Sequence, residues 1–223
     1  MFTTITQVLR SSETAREKSW QWLMGLVESQ GCLSVARKSH NTEDLSLSIS
    51  RPLKNAQVLY YIKGLLGSGH VKLLTMAKYY VVNKELLMNI LPLKRSNNEA
   101  RLAGLVDGEG VFLVSLKHSP NTPSKKKVGF SLVISQVEEI VLEPFLEKLG
   151  GDLRKNEKEG TFRWEIREKE DLIRAMRLFK KYSLQTKKRI DFLKWCKVLE
   201  LTNYKSGLRY SPNHGESFGQ ETL

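Results

Sequence analysis

The chain has 223 residues, and its 36 Lys and Arg against 24 Asp and Glu give a formal net charge of +12. An excess of this size favours a polyanionic partner, most often nucleic acid, with an anionic membrane surface as the alternative. The sequence contains no run of about 18 apolar residues, so it predicts no membrane span. The two cysteines, Cys32 and Cys196, form no CxxC or Cys/His motif, so the sequence indicates neither a disulfide framework nor a zinc site.

The first half of the chain predicts a helix, two strands, a helix, a hairpin and a short helix. Residues 1–17 lack the apolar core of a secretory signal and carry acidic residues that are unusual in a transit peptide, so we expect an N-terminal extension. After a helix that ends near residue 30, Leu45, Leu47 and Ile49 alternate with serines, which is typical of a half-buried strand. The next predicted elements are a helix at 54–66 that ends at Gly67, strands at 69–74 and 78–83, and a helix at 84–91.

The second half of the chain repeats this order. The segment WLMGLVESQGCL at 22–33 aligns with RLAGLVDGEGVF at 101–112. A strand after the second copy again alternates, with Phe130, Leu132 and Ile134 in the inward positions. The predicted elements that follow are a helix at 138–149, strands at 151–156 and 161–167, a helix at 169–181 and a basic helix at 186–203.

Two copies of one element order predict a pseudo-symmetric protein. We expect an α+β fold in which αββαββα repeats occupy residues 18–94 and 99–203, packed through the repeated helices. The tail at 204–223 is rich in Gly, Pro and polar residues without periodicity, and we expect it to be poorly ordered.

Small residues recur four positions apart in each repeated segment, at Gly25 and Ser29 and at Gly104 and Gly108. Residues spaced in this way share one helix face, so the two helices can approach closely with their C-terminal ends side by side. The residue before each final glycine, Gln30 or Glu109, then projects from the bottom of that interface. A pair of carboxylates in such positions could hold divalent metals for attack on phosphodiesters.

These segments resemble a known signature. LAGLVDGEG at 102–110 is similar to the nonapeptide of the LAGLIDADG homing endonucleases, and LMGLVESQG at 23–31 resembles a more divergent copy. The resemblance covers roughly residues 18–203. It implies a monomeric, intron-encoded endonuclease that binds a long DNA target on a saddle of two antiparallel sheets and uses Mg²⁺ or another divalent cation such as Mn²⁺ or Ca²⁺. An organelle location, in a mitochondrion or chloroplast, is implied by the resemblance alone.

The first copy departs from the family's pattern, because Gln30 stands where an acid is expected. A glutamine offers a neutral oxygen and cannot supply the negative charge that Mg²⁺ favours among its ligands. Glu28 lies two positions away on nearly the opposite helix face, and with Asp107 it matches an earlier acidic position of structural role. Three explanations are open: a natural variant that nicks or only binds, a substitution made to trap an uncleaved complex, or a residue compatible with activity.

The resemblance also implies the members of the catalytic centre. They are the catalytic residues Glu109, Gln30, Lys188 and Lys94, and the metal ligands Glu109, Gln30, Gly108 and Ser29. Each lysine would follow the last helix of its repeat and stabilise developing charge, with Lys187 the next candidate after Lys188. An exposed basic helix would explain each of these lysines equally well.

Outward positions on the predicted strands define the expected DNA-binding face, since polar side chains on a β-ribbon can read base pairs in the major groove. Solvent exposure alone would explain each serine taken singly. Together, the outward positions favour DNA binding, because they lie on the sheet face with which the family binds DNA. Arg163 and Arg167 are the candidates for guanine contacts, and the lysines at 125–127 for phosphates. The expected contacts are Ser34, Ala36, Lys38, His40, Ser46, Ser48, Ser50, His70 and Lys72 in the first repeat, and Leu113, Ser115, Lys117, Lys125, Lys126, Lys127, Ser131, Ser135, Arg154, Asn156, Arg163, Glu165 and Arg167 in the second.

Two other functions are compatible with the same sequence. Some members of the family act as maturases that bind their own intron RNA, and a DNA-binding protein without cleavage is the other alternative. Gln30 raises both. Polar strand faces favour duplex DNA over structured RNA, because side chains cannot read the deep, narrow major groove of RNA.

Overall fold

The computed structural model describes residues 2–38, 42–90, 99–118, 120 and 126–205, and these residues form an α+β fold of two repeats. The first repeat contains α1 (Phe2–Gln30), β1 (Gly31–Lys38), β2 (Thr42–Arg51), α2 (Gln57–Leu66), β3 (His70–Leu73), β4 (Ala77–Val82) and α3 (Lys84–Ile90). The second contains α4 (Glu99–Glu109), β5 (Val111–His118), β6 (Lys126–Gln136), α5 (Glu143–Leu149), β7 (Asp152–Asn156), β8 (Thr161–Ile166), α6 (Lys169–Lys181) and α7 (Lys188–Lys205). Within the described ranges, no helix is long and apolar enough to cross a membrane.

The predicted element order is confirmed, and differences are confined to element ends. The expected extension at 1–17 and the first motif lie in one continuous helix, α1. Short 3-10 turns at Leu53–Asn55 and Glu139–Val141 precede α2 and α5, where the sequence predicted single helices. The expected disordered tail from residue 206 onward lies outside the described residues.

Each repeat contains one antiparallel sheet whose inner face is apolar. The strand orders are β1-β2-β4-β3 and β5-β6-β8-β7. Of the side chains predicted to face inward, Leu47, Ile49, Leu132 and Ile134 are buried, and Leu45 and Phe130 are partly buried against the same core. Alternation therefore predicted the sheet faces correctly, because a period of two sends successive side chains to opposite faces.

The two repeats meet through α1 and α4, whose backbones approach closely along the predicted stripe of small residues. A Cβ atom added to Gly104 would overlap the carbonyl oxygen of Trp22 and lie 2.8 Å from the amide nitrogen of Leu26. Its pseudo-symmetric counterpart Gly25 would meet the backbone of Arg101 in the same way. Only glycine permits this separation of the helices, so these two positions bring the C-terminal ends of α1 and α4 side by side.

Candidate active centre and nucleic-acid interface

Two equivalent contacts cross between the motif helices. Trp22 Nε1 donates to Asp107 Oδ2 at 2.8 Å, and Arg101 Nε donates to Glu28 Oε2 at 2.6 Å. Both carboxylates are buried, and each belongs to the residue two positions before the last residue of its helix. These contacts agree with the structural role expected for Glu28 and Asp107, since each carboxylate binds a side chain of the other motif helix.

Asp107 also fixes the start of α7. Its carboxylate accepts hydrogen bonds from the backbone nitrogens of Gln185 at 2.7 Å and Thr186 at 3.2 Å, and from the Thr186 hydroxyl. Thr186 Oγ1 in turn accepts from the backbone nitrogen of Lys188 at 3.2 Å. Burial raises the pKa of Asp107, and the donated hydrogen bonds oppose that rise. A residue of the central helix pair thus positions the first turn of α7.

The side chains before the two final glycines meet, as the sequence predicts. Gln30 Nε2 donates to Glu109 Oε1 at 3.0 Å and to the carbonyl oxygen of Gly108 at 3.1 Å. Both side chains are partly buried at the shared end of α1 and α4. An acid and an amide therefore form the pair at this position, with one negative charge in place of two.

Lys188 reaches this pair from α7. Its Nζ donates to the carbonyl oxygens of Gly108 at 2.7 Å and Val106 at 3.1 Å, in the last turn of α4. Burial, and next the charge of Arg51, lower the pKa of Lys188 to about 8. Lys187 is exposed, so Lys188 is the lysine that meets the centre, whereas Lys94 lies outside the described residues.

Arg51 is a member of the centre that the sequence analysis missed. It is 4% exposed, its Nη1 donates to Gln30 Oε1, and its Nη2 donates to the carbonyl oxygen of Asp107 at 2.9 Å. Burial lowers its pKa, against the opposing charges of Asp107 and Glu109. The alternation along β2 could have identified this residue, because Arg51 continues the inward positions of Leu47 and Ile49. A charged side chain at an inward position needs a buried partner.

The donor set fits one divalent cation better than two. Among the described residues, no group of three or more His, Cys, Asp or Glu side chains is arranged to hold a metal. Of the expected ligands, Gln30 Oε1 accepts from Arg51, and Gly108 O accepts from both Gln30 and Lys188. These two acceptors therefore face protein cations. The carboxylate of Glu109, which accepts from Gln30 Nε2, is the part of the set that suits a metal ion.

Lys188 should make the stability of the fold depend on pH. In the folded chain it loses its proton near pH 8, whereas in the unfolded chain it keeps the ordinary pKa of 10.5. The unfolded state binds more protons between these values, so the unfolding free energy of the wild type should rise with pH relative to that of Lys188→Met. Urea unfolding of both proteins between about pH 7.5 and 10.5 measures this, with Lys187→Met as the matched control. A difference that stays constant across this range would contradict the burial of the ammonium group.

The outward face of the first sheet contains the predicted DNA-contact residues of the first repeat that the structure describes. Ser34 pairs with Ser46, and Ser48 and His70 both lie opposite Tyr80. Ser50 and Lys72 share Lys78 as their neighbour in the same way. The backbones of Ala36 and Lys38 pair with those of Asp44 and Thr42, and His40 lies outside the described residues. The sequence analysis missed the β4 members of this face, Lys78, Tyr80 and Val82, because it took outward positions from three of the four strands.

The outward face of the second sheet is more strongly charged. Arg163 pairs with Ser135 and Arg154, and Glu165 lies opposite Val133 and Asp152. Glu165 Oε2 lies 2.7 Å from Arg167 Nη2 and 3.7 Å from Arg163 Nη2, so one carboxylate orients both arginines. The other predicted residues of this face are Leu113, Ser115, Lys117, Lys127, Ser131 and Asn156, while Lys126 takes the alternate register and Lys125 lies outside the described residues.

Two of the predicted contact residues are nearly buried. Ser46 and Ser131 take the expected outward register, but they are only 8% and 9% exposed. Each lies on the second strand of its sheet between two neighbouring strands, and Ser46 Oγ lies 2.7 Å from Ser34 Oγ. Their hydroxyl groups therefore lie mostly covered by neighbouring side chains of the sheet, and the exposed positions beside them are more accessible to a ligand.

Two packed motif helices lie between two four-stranded sheets, and paired side chains meet at their shared end. Residues 102–199 match the family model described as LAGLIDADG endonuclease, which covers most of the second repeat. No curated protein matches the sequence at a significant level.

Solved structures of LAGLIDADG meganucleases have the same fold over 84% of this chain. I-SmaMI bound to an uncleaved DNA target in the presence of calcium ions is similar with a TM-score of 0.70 and 17% identity, over 92% of that chain. I-AabMI bound to uncleaved DNA has a TM-score of 0.71 and 14% identity, over 92% of that chain. The I-SmaMI homing endonuclease bound to cleaved DNA has a TM-score of 0.70 and 16% identity, over 90% of that chain. The likeness includes both repeats, so the first repeat shares the meganuclease fold despite its divergent motif.

Proposed function

We propose that this protein is a site-specific DNA endonuclease that binds a long duplex target as a monomer and breaks one strand much faster than the other. The observation that carries this proposal is the contact of Gln30 with Glu109 at 3.0 Å, at the shared end of the motif helices. The pair supplies one carboxylate where cleavage of both strands by this architecture calls for two. The solved meganucleases of the same fold that are bound to DNA support duplex DNA as the ligand.

Each group of the centre has a distinct role in this proposal. Glu109 and the backbone of Ser29 would hold one divalent cation, Mg²⁺ or a similar ion, which when bound supplies Lewis acidity and an activated water. Lys188, held on Gly108 O at 2.7 Å, can donate to a phosphoryl oxygen and offset its developing charge. The outward faces of the two sheets keep the duplex in register, and their basic residues neutralise phosphates.

Sequence-specific DNA binding without cleavage is the second candidate function. The contact of Arg51 with Gln30 favours it, because a buried guanidinium group beside the pair opposes a second cation. Under this alternative the same sheet faces bind the same target, and Glu109 has no catalytic role.

Selection from a randomised duplex library, followed by cleavage of plasmids that carry the selected site, tests both candidates. Selection in Ca²⁺ should return a long, asymmetric site. In Mg²⁺ the supercoiled plasmid should become nicked, with linear product forming at least about 100-fold more slowly. Glu109→Gln should bind the site and not nick it.

The other outcomes separate the alternatives. Binding without nicking would support the second candidate, and rapid linear product would contradict the role assigned to Gln30. If no duplex is selected while structured intron RNA binds, the protein is a maturase and both DNA-based proposals fail.

Arg163→Ala should relax the preference at one base pair of the selected site. A bidentate arginine contributes about 1–3 kcal/mol of discrimination to a guanine contact, and Glu165 already orients this side chain. Binding to every single-base variant of the site measures the change. Arg177→Ala is the matched control, since Arg177 is an exposed arginine on α6, in the helix layer behind the sheet. An equal loss of affinity at all positions would assign Arg163 to phosphate contact.

A further inference from the structure

We infer that Arg51 takes the place of the divalent cation in the half of the active centre that contains Gln30, so that Gln30 and Arg51 form one functional unit. This inference rests on the proposed endonuclease function and specifies how its first half differs from its second. On this inference, the difference between the two halves of the active centre depends on two residues, Gln30 in α1 and Arg51 in β2.

The first argument is the position of the guanidinium group. Arg51 ends β2 in the inward register, is almost fully buried, and donates to both Gln30 Oε1 and Asp107 O. Its third nitrogen, Nε, is buried and has no hydrogen-bond partner among the described residues. A buried positive charge without a directly bonded carboxylate is costly, so its location beside the motif helix ends needs a reason other than packing.

The second argument is that each atom of Gln30 suits its neighbour. The carboxamide oxygen faces the Arg51 donor, and the nitrogen donates to Glu109 at 3.0 Å and to Gly108 O at 3.1 Å. A glutamate in this conformation would turn an acceptor toward two acceptors, one of them charged. Glutamine is thus the residue that completes the contacts when Arg51 supplies the positive charge.

The third argument comes from the second repeat. Arg51 and Gln136 each end the second strand of their sheet, two positions after Ile49 and Ile134. The first repeat therefore combines Gln30 with a cationic residue, and the second combines Glu109 with a neutral one. Gln136 Nε2 is buried and unpaired within the described part of the chain, which leaves it free to bond a ligand or water. The two pairs occupy equivalent positions in the repeats, and the first pair is positively charged whereas the second is negatively charged.

The inference predicts that changing Gln30 alone is insufficient. In Gln30→Glu, Arg51 should neutralise the new carboxylate, and no additional metal should bind. In the double variant Gln30→Glu with Arg51→Gln, the first repeat copies the Glu109 and Gln136 combination of the second. That protein should bind one additional metal ion, because the charge of the ligand set tunes metal affinity.

Terbium titration of the free proteins, followed by luminescence sensitised through their tryptophans, tests this without DNA or cleavage. Gln30→Glu with Arg51→Lys is the matched control, since it keeps a cation at position 51 and should remain like the single variant. Circular dichroism verifies that each protein is folded. The inference is overturned if Gln30→Glu alone gains the additional ion, or if the folded double variant does not.

Plasmid cleavage then gives a second readout on the selected site. The double variant should produce linear DNA, while the wild type and Gln30→Glu produce nicked circles. If the wild type binds no duplex, the proposed function fails, and the terbium result still decides whether Arg51 excludes the ion. Linear product from Gln30→Glu equal to that of the double variant would contradict the role of Arg51.

Discussion

Gly104→Ala is expected to destabilise the fold by about 3 kcal/mol or more, because the new methyl group has no space between the motif helices. It would overlap the Trp22 carbonyl oxygen and lie 2.8 Å from the Leu26 amide nitrogen, and both are backbone atoms that no rotamer change can move. The helices must separate, which breaks the contacts that cross between them. A loss of this size corresponds to a fall of roughly 6–12 °C in Tm for a chain of this length.

Gly64→Ala is the matched control for this prediction. Gly64 lies in α2, and a methyl group added there meets nothing within 4 Å among the described residues. Alanine should stabilise this helix by about 0.5–1 kcal/mol, since glycine has the higher entropy cost of ordering. Thermal and urea unfolding of both variants measures the contrast, and equal effects would show that α1 and α4 do not pack as described.

Asp107→Ala should cost about 3 kcal/mol and also displace Lys188. The change leaves the Trp22 indole, the backbone nitrogens of Gln185 and Thr186 and the Thr186 hydroxyl without their acceptor, in a site where Asp107 is 1% exposed. Buried donors that lose their partner each cost about 1–3 kcal/mol, and water entry recovers part of that sum. The start of α7 then loses its anchor to the central helices.

Asp152→Ala provides the comparison for the same substitution at the surface. Its carboxylate pairs with Arg154 at 3.3 Å, and both side chains are mostly exposed. Such a pair contributes less than about 1 kcal/mol. Unfolding should therefore separate the two alanine variants clearly. In addition, Asp107→Ala should slow nicking of the selected plasmid, and a stable Asp107→Ala protein would refute the anchoring role.

Much of the fold was predictable because its signals are local. Strict alternation of Leu45, Leu47 and Ile49 with serines indicated which side chains face inward, and Leu47 and Ile49 are buried accordingly, although the outward Ser46 is nearly buried as well. The duplicated segment with small residues four positions apart predicted the helix interface and the meeting of Gln30 with Glu109. Strand alternation and the glycines that end helices then predicted the order of elements in each repeat, with ends correct to within a few residues.

The composition of the active centre was less predictable, because its members come from distant parts of the chain. Arg51 lies in the same periodic series as Leu47 and Ile49, and only the approach of β2 to the end of α4 shows that its partners are Gln30 and the backbone of Asp107. Lys188 was chosen over Lys187 by resemblance, whereas the structure separates them by burial. Neither distinction can be derived from spacing.

Sequence alone determined the features of this protein that depend on neighbours along the chain: the two repeats, the faces of their strands, the small residues of the motif helices and the missing acid at position 30. Tertiary structure decided which charges share one site. Electrostatic interactions act through space, so Arg51, Glu109 and Lys188 affect one another only after folding brings three separate elements together. For that reason the loss of one acid was visible in the sequence, while the cation beside Gln30 became apparent only in the folded chain.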